Sequence, residues 1–426
     1  MGILIKGGRV LDPASGRDGI YDVLAEDGLI AAVGGIIPES GHEVIDAAGC
    51  FVMPGLVDLH VHFREPGFEY KETIKTGALA AARGGVTTVF PMPNTNPPAD
   101  CTDMIERINE IAARDSVVNI RQVAAVTLGQ KGETPTDIRA LRDAGVAAIS
   151  EDGKSVMNSA VYREAMRQAA ECGMLVMAHC EDRALADGGA LNESDKSRSL
   201  GVRGITNAVE DVITARDILL AKETGCRLHL CHCSTADSVR MIREAKADGV
   251  NVSGEVCPHH FTLCDEDIPG ENADYKMNPP LRSRSDMEAL REGLKSGVIE
   301  VISTDHAPHS EQEKARPIAD APFGITGLET SLCLTYTELV LNGVLTPMQM
   351  VEKMSCNPAR IAGIDRGTLL PGKAADITIM NPDGEFVIDR REFVSKGHNT
   401  PFDGRKVRGR VEYTIVGGKI VYSARR

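Results

Sequence analysis

From residue 56 to residue 305 the chain alternates short apolar runs with longer Ala-rich stretches, and this rhythm restricts the fold more than any other feature of the sequence. The runs read as strands at 56–62, 86–91, 117–126, 146–150, 174–179, 227–232, 250–256 and 299–305. Helical stretches fall between them at 70–83, 104–114, 136–143, 161–171, 210–223, 236–248 and 284–295. Eight strands alternating with helices is the pattern of a closed barrel, with an open doubly wound sheet as the main rival. Residues 1–55 read as short strands broken by Gly and Pro, and β character returns after residue 368, where Gly417-Gly418 separates two strand-like runs as a hairpin would. The expected architecture is therefore α/β: a (β/α)8 TIM-type barrel over 56–364, with a small β-sandwich domain formed by both termini, 1–55 and 365–426.

In a parallel barrel the reactive groups gather at the C-terminal ends of the strands. His60 and His62 end the first strand, and a side-chain period of two puts both imidazoles on one face. Asp152 follows strand four, His179 ends strand five, His232 ends strand six and Asp305 ends strand eight. Four histidines and two carboxylates at one rim point to a metal site. Six ligands exceed the roughly three or four that one catalytic zinc uses, so two ions are the economical assignment. Two-metal hydrolases hold their ions ~3.5–4 Å apart and need a bridging anion, which Asp152 can supply. Glu151, aimed differently, and Lys154, long enough to approach the rim, are the reserves.

Composition narrows the partners. A formal net charge of -14 argues against a polyanion-binding surface and for a small-molecule substrate, with no nucleic acid and no membrane partner. Eleven cysteines, an odd number, several of them in apolar or His-rich runs, suit a reducing cytoplasm better than a disulfide framework. The first residues lack the apolar segment of a signal peptide, and no run approaches the ~20 apolar residues of a membrane span.

Five stretches carry a resemblance: Asp58-Leu59-His60-Val61-His62-Phe63-Arg64-Glu65-Pro66-Gly67, Met92-Pro93-Asn94-Thr95-Asn96-Pro97, Val256-Cys257-Pro258-His259-His260-Phe261, Met277-Asn278-Pro279-Pro280-Leu281-Arg282 and Ser303-Thr304-Asp305-His306-Ala307-Pro308-His309. Over essentially its whole length the sequence resembles the dihydroorotases of the amidohydrolase superfamily. The resemblance implies a hydrolase acting on cyclic amides, which reversibly cyclises N-carbamoyl-L-aspartate to L-dihydroorotate in pyrimidine (UMP) biosynthesis. It implies two zinc ions per chain, one held by His60, His62 and Asp305, the other by His179 and His232, with Asp152 between them. Many superfamily members bridge with a carboxylated lysine near the end of strand four; Ser150 stands where that lysine would align. The match is therefore to the subgroup with an aspartate bridge.

Dihydroorotate carries a carboxylate, so the site calls for a fixed cation. Arg64, two residues past His62 on the same face if the strand continues, is placed to bind it, with Asn94 and His309 as further donors. Asn278 resembles a family residue near the substrate. Asp305 is the expected proton shuttle, while His259, His260 and His306 read as structural. Residues 310–323 have the composition of a mobile loop over the site. A homodimer is expected, and some relatives dock on aspartate transcarbamoylase. The competing readings are another cyclic amidase, of the hydantoinase, dihydropyrimidinase or allantoinase kind, and a catalytically inactive structural homologue.

Overall fold

The computed structural model describes residues 2–424. Its central strands are Leu56–Val61, Val86–Pro91, a third strand broken into Asn119–Ile120 and Val123–Ala125, then Ala148–Ser150, Leu175–Ala178, Arg227–Leu230, Val252–Val256 and Val301–Ile302. Each pairs in parallel with the next in sequence. At the break in the third strand the Arg121 N–H still donates to the Val89 carbonyl at 2.9 Å. The ring closes between its first and last members: Val61 bridges His306 in parallel, and the His62 N–H donates to the His306 carbonyl at 2.8 Å. This is a closed (β/α)8 barrel.

Two packed layers explain the apolar runs. Inside the ring Val57, Leu59, Phe90, Val123, Leu175 and Met177 form one buried cluster. Outside it Leu56, Val61, Val89, Ile149 and Val176 pack against the helices, which present residues such as Ile105, Tyr162, Ile213 and Leu290. Burial on both faces is why these strands read as continuous apolar runs rather than as alternating ones. The pairing register shifts between Asp58 and Val61, so that Leu59 lies in the interior cluster while Val61 packs outside.

The hydrogen-bonded strands are shorter than the apolar runs. Strand pairing stops at Ala178, Leu230 and Ile302, one to three residues before His179, His232 and Asp305. His232 (φ 35°) and Asp305 (φ 48°) adopt left-handed backbone, which turns them out of the strand direction.

Both termini meet in one eight-stranded sheet. Ile377–Val387 runs antiparallel to Phe51–Pro54, which pairs with Gly2–Asp12, and Lys406–Val416 and Lys419–Ser423 extend one edge. This sheet curls around its own core, in which Ile5, Val23 and Ile30 meet Ile377, Ile379 and Ile415, and it forms the β-sandwich beside the barrel. Among the described residues none of the eleven cysteines forms a disulfide, and no helix is long and apolar enough to cross a membrane.

Gly84 closes the first barrel helix, Ile74–Arg83, where a Cβ would overlap the carbonyl of Leu328. Overlap with backbone cannot be relieved by a rotamer change. Gly84→Ala should therefore destabilise the fold by about 1–3 kcal/mol, read as a lower midpoint in thermal or urea unfolding.

Candidate metal centre

All six predicted ligands converge at the barrel mouth, and each is buried. Their outer partners decide which ring nitrogen faces inward. His60 Nδ1 lies 2.9 Å from Glu255 Oε1, a carboxylate that only accepts, so Nδ1 carries the proton and Nε2 faces the centre. His62 Nδ1 lies 3.0 Å from Asn94 Oδ1, and the same amide donates through Nδ2 to Asp152 Oδ2 at 3.2 Å. His179 Nε2 lies 2.9 Å from Glu181 Oε2, which leaves Nδ1 pointing inward, 2.8 Å from His232 Nε2.

Bare nitrogens and carboxylate oxygens then face one another. His60 Nε2 stands 3.2 Å from Asp152 Oδ1 and 3.6 Å from Asp305 Oδ1, and His62 Nε2 stands 3.0 Å from Asp305 Oδ1. Asp152 straddles the group: Oδ1 also faces His179 Nδ1 at 3.6 Å and His232 Nε2 at 3.8 Å, while Oδ2 faces His62 Nε2 at 3.5 Å. His60 Nε2 and Asp152 Oδ1 are fully buried without a hydrogen-bond partner. Facing lone pairs in a buried site require a cation between them, either protons or a metal ion. Without metal the protons stay. Burial opposes the charge on His60, yet Asp152 and Asp305 hold it well above the ordinary histidine range. Burial likewise opposes the charge on His179, but bonds to Asp152 and Glu181 raise it to about 10. Burial pushes the Asp305 carboxyl upward, and the facing His60 and His62 outweigh it, leaving it at about 2. The donor set, bare imidazole nitrogens around two ionised carboxylates, fits divalent ions of the zinc type. The six predicted ligands form two mutually close triads, His60, His62 and Asp305, and His60, Asp152 and His232, with His179 adjoining the second.

Above this cluster opens a cleft of about 180 Å³, lined among others by Arg64, Asn94, Asn278, Asp305 and Phe323. Arg64 arrives there by a route the strand period does not describe. The first strand ends at Val61, and Arg64 has left-handed backbone (φ 60°). Its guanidinium donates to the Pro308 carbonyl at 3.4 Å and lies 3.4 Å from His309 Nε2. No carboxylate of the described residues lies within ion-pairing distance of it.

The two reserves point elsewhere. Glu151 accepts from the Val126 and Thr127 N–H groups at 3.1 Å each, and Lys154 donates to the Gln130 carbonyl at 3.2 Å. Among the remaining histidines, His306 is buried between Glu72 Oε2 and the Gly327 N–H, and His260 Nε2 lies 2.9 Å from the Pro279 carbonyl. Residues 310–323 are tethered by their own charges: Lys314 donates to the carbonyls of Lys276, Pro322 and Gly324.

Several participants escape a reading of strand ends. Glu255 lies within strand seven, where it holds both His60 and His229, the latter at 3.0 Å. Its inward position could have been read from the two-residue period of that strand. Asn399, far along the chain, accepts from the His309 N–H at 3.1 Å and donates to the carbonyls of Ala307 and Gly324. Nothing local in the sequence marks it.

Known proteins share this arrangement of chain. A model of the Dihydro-orotase-like family matches residues 49–238. The dihydroorotase of Pelotomaculum thermopropionicum is 52% identical over 100% of this chain and 99% of its own, and that of Bacillus caldolyticus is 48% identical over 100% of both. Among solved structures, the L-hydantoinase (dihydropyrimidinase) from Arthrobacter aurescens superposes with a TM-score of 0.89 at 28% identity, over 99% of this chain and 96% of its own.

Glu255 offers a test of the centre that leaves every facing atom in place. Burial opposes its charge, but His229 and His60 hold its carboxyl far below the ordinary range. Glu255→Gln removes that charge behind His60. Metal affinity, titrated against a chromogenic chelator, should fall roughly 10–100-fold with the fold intact.

Proposed function

The chain belongs to the dihydroorotase family, a family of metal-dependent cyclic amidases, and from that membership we propose that its barrel mouth interconverts N-carbamoyl-L-aspartate and L-dihydroorotate for pyrimidine biosynthesis. The observation that carries the substrate assignment is Arg64. A half-buried guanidinium beside the cleft, without a carboxylate partner among the described residues, is a site for an anion supplied from outside. His309 Nε2, 3.4 Å away, and the Asn94 amide are further donors near the same space, and Asn278 lines its far side.

Two zinc ions per chain are the proposed cofactor, one at His60, His62 and Asp305, the other at His179 and His232, with Asp152 shared. Bound there, they would supply Lewis acidity for the ring carbonyl and a water acidified enough to attack it near neutral pH. The chain's own groups do the rest. Arg64 and His309 hold the substrate carboxylate and so fix which ring atom faces the cluster. The Asp305 carboxylate accepts the proton of the attacking water and returns it to the ring nitrogen as the amide bond breaks; ring closure runs the same steps in reverse. The closed barrel floor, with Val57, Leu59 and Met177 beneath the cluster, keeps water from entering below.

A second cyclic-amidase reading, for hydantoins or dihydropyrimidines, draws on the shared fold of the L-hydantoinase. A neutral ring would leave Arg64 unpaired, and the buried Ser150 stands where a lysine bridge would align. An inactive homologue would be free to lose ligands, whereas all six remain clustered.

Elemental analysis of purified protein should find about two zinc ions per chain; one fully occupied ion with His179 and His232 free would overturn that count. Asp152→Ala should lose an ion and the activity, while Lys154→Ala, whose ammonium is bound to the Gln130 carbonyl, should keep both. Arg64→Met should retain metal and lose about 2–5 kcal/mol of substrate binding, a fall of roughly thirty-fold to several thousand-fold in kcat/KM on dihydroorotate. Any slow turnover of uncarboxylated dihydrouracil should change little. Equal loss on both rings with zinc retained would refute the carboxylate assignment.

A further inference from the structure

His309 can donate to a substrate carboxylate from Nε2 only in one of its two neutral tautomers, and its surroundings select between them. We propose that Lys71 is the positioning residue that fixes His309 with its proton on Nε2, the nitrogen beside cleft-lining Arg64, Phe323 and Gly324, so that a neutral ring presents a donor to the substrate. The proposal rests on the reading of Arg64 and His309 given above.

Two partners from different parts of the chain assign the tautomer. Lys71 Nζ lies 3.2 Å from His309 Nδ1, and an ammonium has no lone pair, so Nδ1 must accept. The Phe323 carbonyl lies 2.8 Å from Nε2 and can only accept, so Nε2 must donate. Both constraints give the same answer and are the shorter contacts; Arg64 Nη2 at 3.4 Å from Nε2 and Glu313 Oε2 at 3.7 Å from Nδ1 favour the other tautomer from farther away. The ring also stays uncharged: burial, then the cations Arg64, Lys71 and Lys314, push its basicity far below the ordinary histidine range. Arg64 and the Nε2–H group are thus two donors 3.4 Å apart, and an anionic oxygen between them would share the Nε2 proton with the Phe323 carbonyl.

Lys71 is itself held in place. Its ammonium pairs with Glu313 at 2.9 Å, and Glu313 is anchored by the Ser310 N–H and hydroxyl at the start of the short helix Glu311–Lys314. Glu313 Oε2 also stands 3.7 Å from His309 Nδ1. With Lys71 gone, that carboxylate becomes the best partner for Nδ1 and draws the proton to it. Nε2 would then turn a lone pair toward both the Phe323 carbonyl and the substrate carboxylate. A merely structural ion pair between Lys71 and Glu313 would have no such consequence for the ring.

The test uses the full-length, zinc-loaded enzyme with 15N-labelled histidine. Long-range 1H–15N spectra at neutral pH identify His309 by the signals lost in His309→Gln. Wild type should show a protonated Nε2 and a bare Nδ1. Lys71→Met should move the proton to Nδ1 and raise KM for dihydroorotate about tenfold or more, with kcat changed much less. Lys71→Arg, which can only donate, should keep the Nε2 proton and recover most of the KM; it also serves as the folded comparator if Lys71→Met fails to fold. An Nδ1–H or doubly protonated ring in wild type, or an unchanged tautomer in Lys71→Met, overturns the proposal. A tautomer that moves while KM does not would leave the role of Lys71 standing and overturn the contact between His309 and the carboxylate.

Discussion

The closing seam of the barrel is the constraint on which the metal centre depends. His60 lies in the first strand, His62 just past its end and Asp305 in the segment after the last, and the seam that pairs Val61 with His306 brings them within 4 Å. The seam is short and relies on side chains as well as backbone. Leu59 N–H donates to Ser303 Oγ, and Thr304 N–H donates to the Asp58 carboxylate at 3.2 Å. Burial pushes that Asp58 carboxyl up to about 7, so the seam includes a carboxylate that its position inside the protein disfavours. Strand eight, with only Val301–Ile302 hydrogen-bonded as strand, is held by such contacts. A ring closed this way aims its last residues at the centre instead of continuing the sheet.

That geometry sets what could be read from the sequence. The barrel rule maps strand ends onto one rim, so His60, His62, Asp152, His179, His232 and Asp305 were legible as one constellation without a structure. The strand limits were not. His232 and Asp305 were read as the last residues of strands, whereas both leave the strand with positive φ, a conformation disfavoured for non-glycine residues. Arg64 shows the same departure: the two-residue period anticipated the correct side, but a left-handed turn after Val61 delivers it. Local rules fail at the residues whose side chains must be re-aimed, because the surrounding fold over-determines them.

The supporting groups were illegible for a different reason. Lys71 and His309 are 238 positions apart, and Asn399 and His309 are 90 apart, so no window of sequence contains either contact. Residues 389–405 leave the terminal sheet and return to the barrel mouth. Ser395 and Lys396 bond Glu72, Val394 and Ser395 bond Glu329, and Asn399 ties His309 to Gly324. Glu72 is buried, and burial raises the Glu329 carboxyl to about 7. The terminal sheet therefore supplies a brace for the cleft, and the carboxylates that anchor it look ordinary in the sequence.

The fold itself does not select the substrate. A chain that superposes on an L-hydantoinase with a TM-score of 0.89 shares its fold, so discrimination must come from the groups that meet the rest of the ring. Here the group in question is the Arg64 guanidinium, which meets the Pro308 carbonyl but no carboxylate among the described residues. Leaving a half-buried guanidinium without a counter-charge is unfavourable unless an anion returns to it in the bound state, and a neutral ring offers none. Lys71 and Lys314 extend the argument beyond Arg64. Each is saturated by contacts within the protein, Lys71 by Glu313 and His309, Lys314 by three carbonyls, so neither competes for the substrate charge. Burial first, then the positive potential of Arg64, Lys71 and Lys314, keeps His309 neutral. A neutral imidazole beside one guanidinium with no carboxylate partner among the described residues presents a single positive charge, which the one carboxylate of the proposed dihydroorotate ring would match.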